Sequence, residues 1–201
     1  PDVRIKLEGQ HKRAPLVGHL NENLRFVKAE GAHDPSSWLR IQVGERKIGD
    51  GKMQRVALTP KPGHTYVIGV DAAEGNPTGD YHAAVVIDSE TGEQCALAHT
   101  RSMSASDFGA VAMQLATFYN GAYAVIESNG HGQTVIDQMK ALGHGSFYQR
   151  APLDRISKKP LPKLGFKTEA QTKKAATNLM KTFITSGRMK IHDPIIYAEM
   201  F

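Results

Sequence analysis

The chain has 201 residues, of which 40% are hydrophobic and 22% are charged, as expected for one soluble α/β domain with a sizeable core. No apolar run reaches the roughly 18 residues that a transmembrane helix requires, and the N-terminus lacks a signal-peptide pattern. The net charge is +5, and the one cysteine is Cys95. A single cysteine excludes an internal disulfide or a multi-cysteine zinc site and indicates a reducing compartment such as the cytoplasm.

Residues 1–55 contain many turn-forming residues and little periodicity, with short strands predicted at 38–43 and 53–58. We expect this segment to be an N-terminal arm or linker that packs on a main domain at 56–201. Because the sequence begins at Pro1 rather than at methionine and ends at Phe201 without a polar tail, we also expect a piece of a larger protein.

Clear patterns begin at Tyr66. Continuous apolar runs predict buried strands over 66–71 and 83–88, and a turn at 89–92 predicts a hairpin with a third strand over 94–100. Helices and strands then alternate: a helix at 104–118, a strand at 122–127, a helix at 135–142, a strand at 147–150, a helix at 168–184, a strand at 189–191 and a helix from Pro194. This order predicts an α/β fold with a mixed sheet, antiparallel at first, as in the ribonuclease H-like fold.

Three carboxylates each follow directly on a predicted strand, namely Asp71, Glu127 and Asp193. Because ligands gather beyond the carboxyl ends of parallel strands, we expect these acids to converge, and their mutual repulsion would require cations among them. Oxygen ligands without cysteine or paired-histidine spacing favour Mg²⁺ or Mn²⁺ over Zn²⁺. Two such ions about 4 Å apart would clamp the attacking and leaving oxygens of a phosphoryl displacement. Any one of the acids could instead be a turn former or a helix cap.

Three further residues are auxiliary candidates. Asp80, at the far end of the Gly75–Gly79 loop, could ligate a metal or orient its water, or serve only in the turn. His131 follows the second strand-end acid and could touch a phosphate, although a place in a helix-capping loop is favoured. His192 adjoins Asp193 and is equally consistent with a metal ligand and with a neighbour on the other face of the strand.

The net positive charge is concentrated in one stretch, 150–174, with eight basic residues against two acidic ones. A polyanion such as DNA suits this stretch, although a solvated loop explains the charge equally well. The DNA-binding candidates are Lys158, Lys159, Lys163, Lys167, Lys173 and Lys174. The last two lie in the first turn of a predicted helix, against the preference of the helix dipole, and this placement indicates an anion to be held.

Three stretches resemble the C-terminal nuclease domain of the large terminase subunit of tailed bacteriophages: YVIGVDAAEG…GDYHAAVVID, AVIESNGHG and LGFKTEAQTKKAATNLMKTFITSGRMKIHDPIIYAEM. The resemblance covers residues 56–201 and includes the Pro-x-Pro-Gly lead-in at Pro60–Gly63. It implies a ribonuclease H-like fold and metal-dependent, largely sequence-independent cutting of double-stranded DNA during genome packaging. By motif position it implies that Asp71, Glu127 and Asp193 bind metal and that Asp80 is an auxiliary acid.

The resemblance also implies partners, namely the ATPase motor domain of the same parent chain, the portal and the small terminase subunit. These would meet in the host bacterial cytoplasm, away from any membrane. No G-x-x-x-x-G-K-[ST] motif occurs in the sequence, so the motor itself is not part of it, and residues 1–55 are expected to lead in from that motor.

The sequence therefore predicts a DNA endonuclease that uses two Mg²⁺ or Mn²⁺ ions. A Holliday-junction resolvase or transposase core on the same fold is the first alternative, distinguished by a preference for branched DNA. An actin-like or sugar-kinase-like ATPase is the second, but it would need a duplicated half and further phosphate loops. A non-catalytic DNA-binding module is the third, and it would leave the clustered acids unexplained.

Overall fold

A computed structural model describes residues 14–30, 38–47, 49, 52–152 and 160–200, and the structural statements below concern these residues. The strands are β1 (Leu16–Leu20), β2 (Phe26–Lys28), β3 (Leu39–Ile41), β4 (Val43–Lys47), β5 (Met53–Ala57), β6 (Tyr66–Asp71), β7 (His82–Asp88), β8 (Gln94–Thr100), β9 (Tyr123–Ile126), β10 (Gln149–Arg150) and β11 (Lys163–Leu164). The helices are α1 (Ala105–Phe118), α2 (Gly132–Ala141), α3 (Ala170–Thr185) and α4 (Pro194–Glu199).

One sheet contains seven of these strands in the order β2-β1-β3-β8-β7-β6-β9. Strands β6, β7 and β8 are antiparallel neighbours, whereas β9 pairs parallel with β6. The central strands are apolar because α1 and α2 cover one face of the sheet, where Ile68, Ala84 and Ala98 are fully buried in the main hydrophobic core. This arrangement confirms the predicted mixed sheet of the ribonuclease H-like fold.

The N-terminal segment contributes more to the fold than an arm would. Strands β1, β2 and β3 extend the main sheet, with β3 paired to β8. Only β4 and β5 stand apart, as a separate hairpin. Residues 16–41 show weak periodicity in the sequence because these strands are short and half-exposed.

Two elements near the C-terminus also differ from expectation. The strand predicted at 189–191 reduces to one bridge between Glu93 and Lys190, because the chain turns almost at once into α4. Helix α3 begins at Ala170, with Glu169 and Thr172 forming the capping box rather than Thr168. None of the described helices is both long and apolar enough to cross a membrane.

The face of the sheet opposite α1 and α2 carries the residues that matter for function. Asp71 pairs with Ala83, and Ala83 pairs with His99. Directly paired residues project to the same face of a sheet, so these three residues form one row across β6, β7 and β8. The row crosses the end of the sheet at which β6 and β9 both finish.

Candidate active site

Asp71 and Glu127 lie side by side at this end of the sheet. The parallel register pairs Val70 with Ile126, so the next residue of each strand is an acid, and the Glu127 amide donates a 2.8 Å hydrogen bond to the Val70 carbonyl. Partial burial raises the pKa of Asp71, and the charge of Glu127 and a hydrogen bond with its carboxyl group raise that pKa further. The two carboxyl groups are therefore close enough for one proton, or one cation, to be shared between them.

Asp80 completes this acidic corner electrostatically. It lies in the exposed turn before β7, and its charge also raises the pKa of Asp71, although less than that of Glu127 does. The structure thus places two of the three predicted strand-end acids, and the predicted auxiliary acid, at one edge.

His82, which sequence reasoning did not single out, fixes the loop between Asp71 and Asp80. The His82 ring is fully buried and stacks on Phe108 with centroids 4.7 Å apart. Its Nδ1 accepts from the Ala73 amide at 3.1 Å, and its Nε2 donates to the Met103 carbonyl at 2.9 Å. These two bonds require a neutral ring with its proton on Nε2. A histidine opening an otherwise apolar strand was the available signal.

Gly75 is the second constraint on this loop. Its φ is +82°, which is strained for residues other than glycine, and a Cβ here would lie 2.0 Å from the Met103 carbonyl oxygen. The loop therefore lies directly against the segment that leads into α1, and both contacts restrict where the Asp71 backbone can move.

Asp193 lies elsewhere, and the expectation that it converges with the other acids is corrected. Its carboxylate is fully buried, with Oδ2 accepting from Arg40 Nε and from Gln42 Nε2, each at 2.7 Å. Oδ1 caps α4 by accepting from the Ile195 amide at 2.9 Å. Among the described residues, no three His, Cys, Asp or Glu side chains are grouped so as to hold a metal ion.

Contacts with the N-terminal part of the sheet hold Asp193 away from the other two acids. Arg40 pairs with Leu97 in the β3–β8 ladder, and the amides of His192 and Asp193 both donate to the Gln94 side chain at the start of β8. Gln94 precedes His99 by five residues along that strand, which is about 17 Å of extended chain. Asp193 is therefore held beside β3 and β8, which β7 separates from β6, although its charge still acts on His99 in the Asp71 row.

The two auxiliary histidines lie in different surroundings. The His192 ring is buried and faces Glu93, with Nε2 3.6 Å from the Glu93 carboxylate; this contact is the main cause of the lowered pKa of Glu93. His131 is exposed at the N-cap position of α2, where its side chain makes no capping bond. Its carbonyl accepts from the Thr134 amide instead.

The structure describes four of the six DNA-binding candidates. Lys158 and Lys159 lie outside the described residues. Lys163, Lys167, Lys173 and Lys174 are all exposed, and Lys167 forms an ion pair with Glu169. Lys167 follows Phe166, which bridges to Glu127 in parallel, so this lysine lies next to the acid pair.

The acid pair suits a hard divalent cation. Mg²⁺ is usually held by one or two carboxylates and several waters. A cation between Asp71 and Glu127 would offset both the burial of the Asp71 carboxylate and its repulsion by Glu127, the two main causes of its raised pKa. The free Cys95 is buried and is no candidate ligand. The donor set therefore fits Mg²⁺ or Mn²⁺ better than a thiophilic metal.

Comparison with known proteins identifies relatives of the fold. The family model described as the terminase RNaseH-like domain matches residues 68–199, whereas no curated protein matches the chain. The structure resembles the large terminase nuclease from thermophilic phage G20c with bound magnesium, with a TM-score of 0.57 and 16% identity over 97% of this chain and 76% of that one. For the same nuclease with bound zinc, the TM-score is 0.56 and the identity is 22%, over 80% of this chain and 81% of that one.

A further similar structure is the large terminase nuclease domain of Thermus phage P74-26. Its TM-score is 0.54 and its identity 16%, covering 98% of this chain and 74% of that one. At these identities the likeness concerns the fold, and the chemistry must be argued from the residues of this chain.

Proposed function

This chain belongs to the terminase RNaseH-like domain family, and we propose that it is a divalent-metal-dependent endonuclease that cuts double-stranded DNA during viral genome packaging. The observation that carries the proposal is the pair of Asp71 and Glu127 on adjacent parallel strands, with the pKa of Asp71 raised by its surroundings. Groups with perturbed pKa values at a strand-end edge are typical of functional sites.

The acid pair would hold Mg²⁺ or Mn²⁺, and Asp80 would bind a second ion or a water attached to it. Solved terminase nucleases with bound magnesium, zinc and cobalt support divalent metal use by this fold. When bound, such ions lower the pKa of a coordinated water and stabilise charge on the phosphate. The rigid strand ends keep Asp71 and Glu127 in place for this task.

The substrate would lie over the open face that carries Asp71. Exposed Lys163, Lys167, Lys173 and Lys174 would contact backbone phosphates, together with Lys158 and Lys159. Such contacts release counterions, so the affinity for DNA should fall steeply as the salt concentration rises. Recognition through phosphates alone is largely independent of sequence.

The packaging context supplies the remaining partners of the proposal. The chain would act with an ATPase motor domain of its parent protein, and with the portal and the small terminase subunit, in the host bacterial cytoplasm. The family membership supports this context.

Cleavage of supercoiled plasmid DNA tests the proposal. The wild-type chain should nick and linearise plasmid with Mg²⁺ or Mn²⁺ and not with EDTA, and both Asp71→Asn and Glu127→Gln should lower the rate by at least about 100-fold, in the range of lost electrostatic catalysis. Asp137→Asn is the matched control, because Asp137 lies on the surface of α2, where it accepts a hydrogen bond from Gln133. Undiminished cutting by Asp71→Asn would contradict the assignment.

Metal binding gives a readout that does not depend on activity. Mn²⁺ should raise the melting temperature of the wild-type chain and of Asp137→Asn, but not that of Asp71→Asn, since a ligand stabilises only the state that binds it. A faster cut on a four-way junction than on linear duplex would instead favour a junction resolvase.

A further inference from the structure

A stack of three side chains, two of them exposed, lies on the same face of the sheet as Asp71. The Tyr81 and His99 rings are stacked with centroids 4.1 Å apart and planes 12° from parallel. The Arg101 guanidinium lies over the Tyr81 ring, 4.7 Å from its centroid. Tyr81 is 42% exposed although it is a large aromatic residue, and Arg101 is also exposed.

The stack occupies the same face of the sheet as the acids. His99 belongs to the row that contains Asp71, and continuing the His82–Thr100 pairing by one residue places Tyr81 opposite Arg101. Strands are about 4.8 Å apart, so the two strand steps from Asp71 to His99 span about 10 Å. Only the small side chain of Ala83 lies between them in the row.

The chemistry of the stack suits a phosphate. Arg101 has no carboxylate partner among the described residues, and a guanidinium that stacks on a ring keeps its N–H donors free around its edge. The pKa of His99 is lowered, chiefly by burial. Arg101 is therefore the cation of the stack that a phosphate would meet. Glu199 lies 3.7 Å from His99 Nε2, and the charges of Glu199 and Asp193 both act on His99.

We propose that Tyr81 and Arg101 form a backbone-binding contact for the DNA strand beside the cut, a role that rests on the proposed nuclease function. Tyr81 precedes Ala83 by two residues, so this contact lies just beyond the row of Asp71, Ala83 and His99 and would meet phosphates close to the reacting one. Lys167 lies on the other side of the acid pair, beyond β9. The duplex would then be held on both sides of the reacting phosphate.

Binding of a fluorescent linear duplex, measured by anisotropy in EDTA over a series of salt concentrations, tests this contact. Arg101→Ala should weaken binding about tenfold, as expected for one lost charge-assisted hydrogen bond, and lower the salt slope by about 0.9. Arg101→Lys should keep the slope and lose part of the affinity. Tyr81→Ala should weaken binding through loss of the platform, whereas Tyr81→Phe should not.

Arg188→Ala is the matched control. Arg188 is another exposed arginine over an aromatic ring, 5.9 Å from the Phe183 centroid, but it lies beyond the opposite end of β7, against the Gly92 turn. In Mg²⁺, Arg101→Ala should raise the DNA concentration needed for half-maximal cutting and leave the rate at saturation unchanged, because Arg101 does not touch the reacting atoms.

The outcomes separate this contact from the nuclease function itself. If the wild-type chain cuts DNA while Arg101→Ala binds and cuts like Arg188→Ala, the contact is overturned and the function stands. If Arg101→Ala weakens binding but the wild-type chain never cuts, the contact stands and the function fails. A lower melting temperature for Arg101→Ala with unchanged affinity would show that the stack only stabilises the ends of β7 and β8, and would also overturn the contact.

Discussion

Two regions of the sheet hold a carboxylate in opposite ways. At the end of β6, Asp71 is only partly buried, and the charge that most affects its pKa is that of another acid, Glu127. Beneath α4, Asp193 is fully buried and receives hydrogen bonds from Arg40, Gln42 and the Ile195 amide. An acid whose leading charged neighbour is another acid favours a cation, whereas the charge of an acid whose oxygens accept from three donors is compensated by the protein itself.

The largest effect on the free energy of unfolding should come from removing the buried carboxylate of Asp193. Asp193→Ala leaves the Arg40 guanidinium and the Gln42 amide without their acceptor, and loss of one partner of a buried ion pair costs about 3 kcal/mol or more. Urea unfolding should show this loss of free energy. In Arg40→Ala, the further change Asp193→Ala should cost much less, because the two residues share one interaction.

The same variant decides whether the two regions differ in function. If Asp193→Ala is folded at low temperature, Mn²⁺ should still raise the melting temperature of this variant. A variant of normal stability that has lost both cleavage and the Mn²⁺ response would reverse the comparison and make Asp193 a metal ligand.

The contrast between these regions marks what the sequence could predict. The central strands, α1 and the placement of Asp71 and Glu127 follow from continuous apolar runs ending in acids, since adjacent parallel strands bring their ends together. The place of Asp193 could not follow, because its partners lie in β3 and the next residues, more than 150 positions away. Weakly periodic β3 gave no sign that it joins the sheet beside β8.

His82 was missed for a related reason. A lone histidine at the start of an apolar strand has no local pattern that reveals its two backbone partners, Ala73 and Met103. Likewise, the Tyr81–Arg101 stack depends on the antiparallel register of β7 and β8. The sequence predicts that these strands form a hairpin, but it does not predict which residues pair.

An intermediate effect should come from His82, which supports the first region. His82→Gln keeps a donor for the Met103 carbonyl but loses the acceptor for the Ala73 amide, and His82→Asn does the reverse. Both should lower the free energy of unfolding by about 1–2 kcal/mol through one lost buried hydrogen bond. If the Ala73 bond positions Asp71, only His82→Gln should raise the Mn²⁺ concentration needed for half-maximal cleavage.

His144→Gln is the control for that pair. The His144 ring is also largely buried, packs edge-on against Phe147 and bonds the Ser146 carbonyl at 3.1 Å. It should lose stability without any change in metal requirement. Equal metal requirements for His82→Gln and His82→Asn would show that His82 stabilises the fold without positioning the acid.

The smallest effect concerns the charge of Asp71 itself. Because the pKa of Asp71 is raised in the folded protein, chiefly by partial burial and then by Glu127, its ionised form disfavours folding when no metal is bound. Asp71→Asn should therefore be slightly more stable than the wild-type chain in EDTA at pH 7. The difference should shrink as the pH falls through the raised pKa, where wild-type Asp71 takes up its proton, and should vanish below the unfolded value of about 3.9. Urea unfolding at several pH values measures this difference in stability, and Asp137→Asn should show no such trend. A wild-type chain that is more stable than Asp71→Asn in EDTA would mean that the protein already compensates the charge of the acid pair, as it does for Asp193.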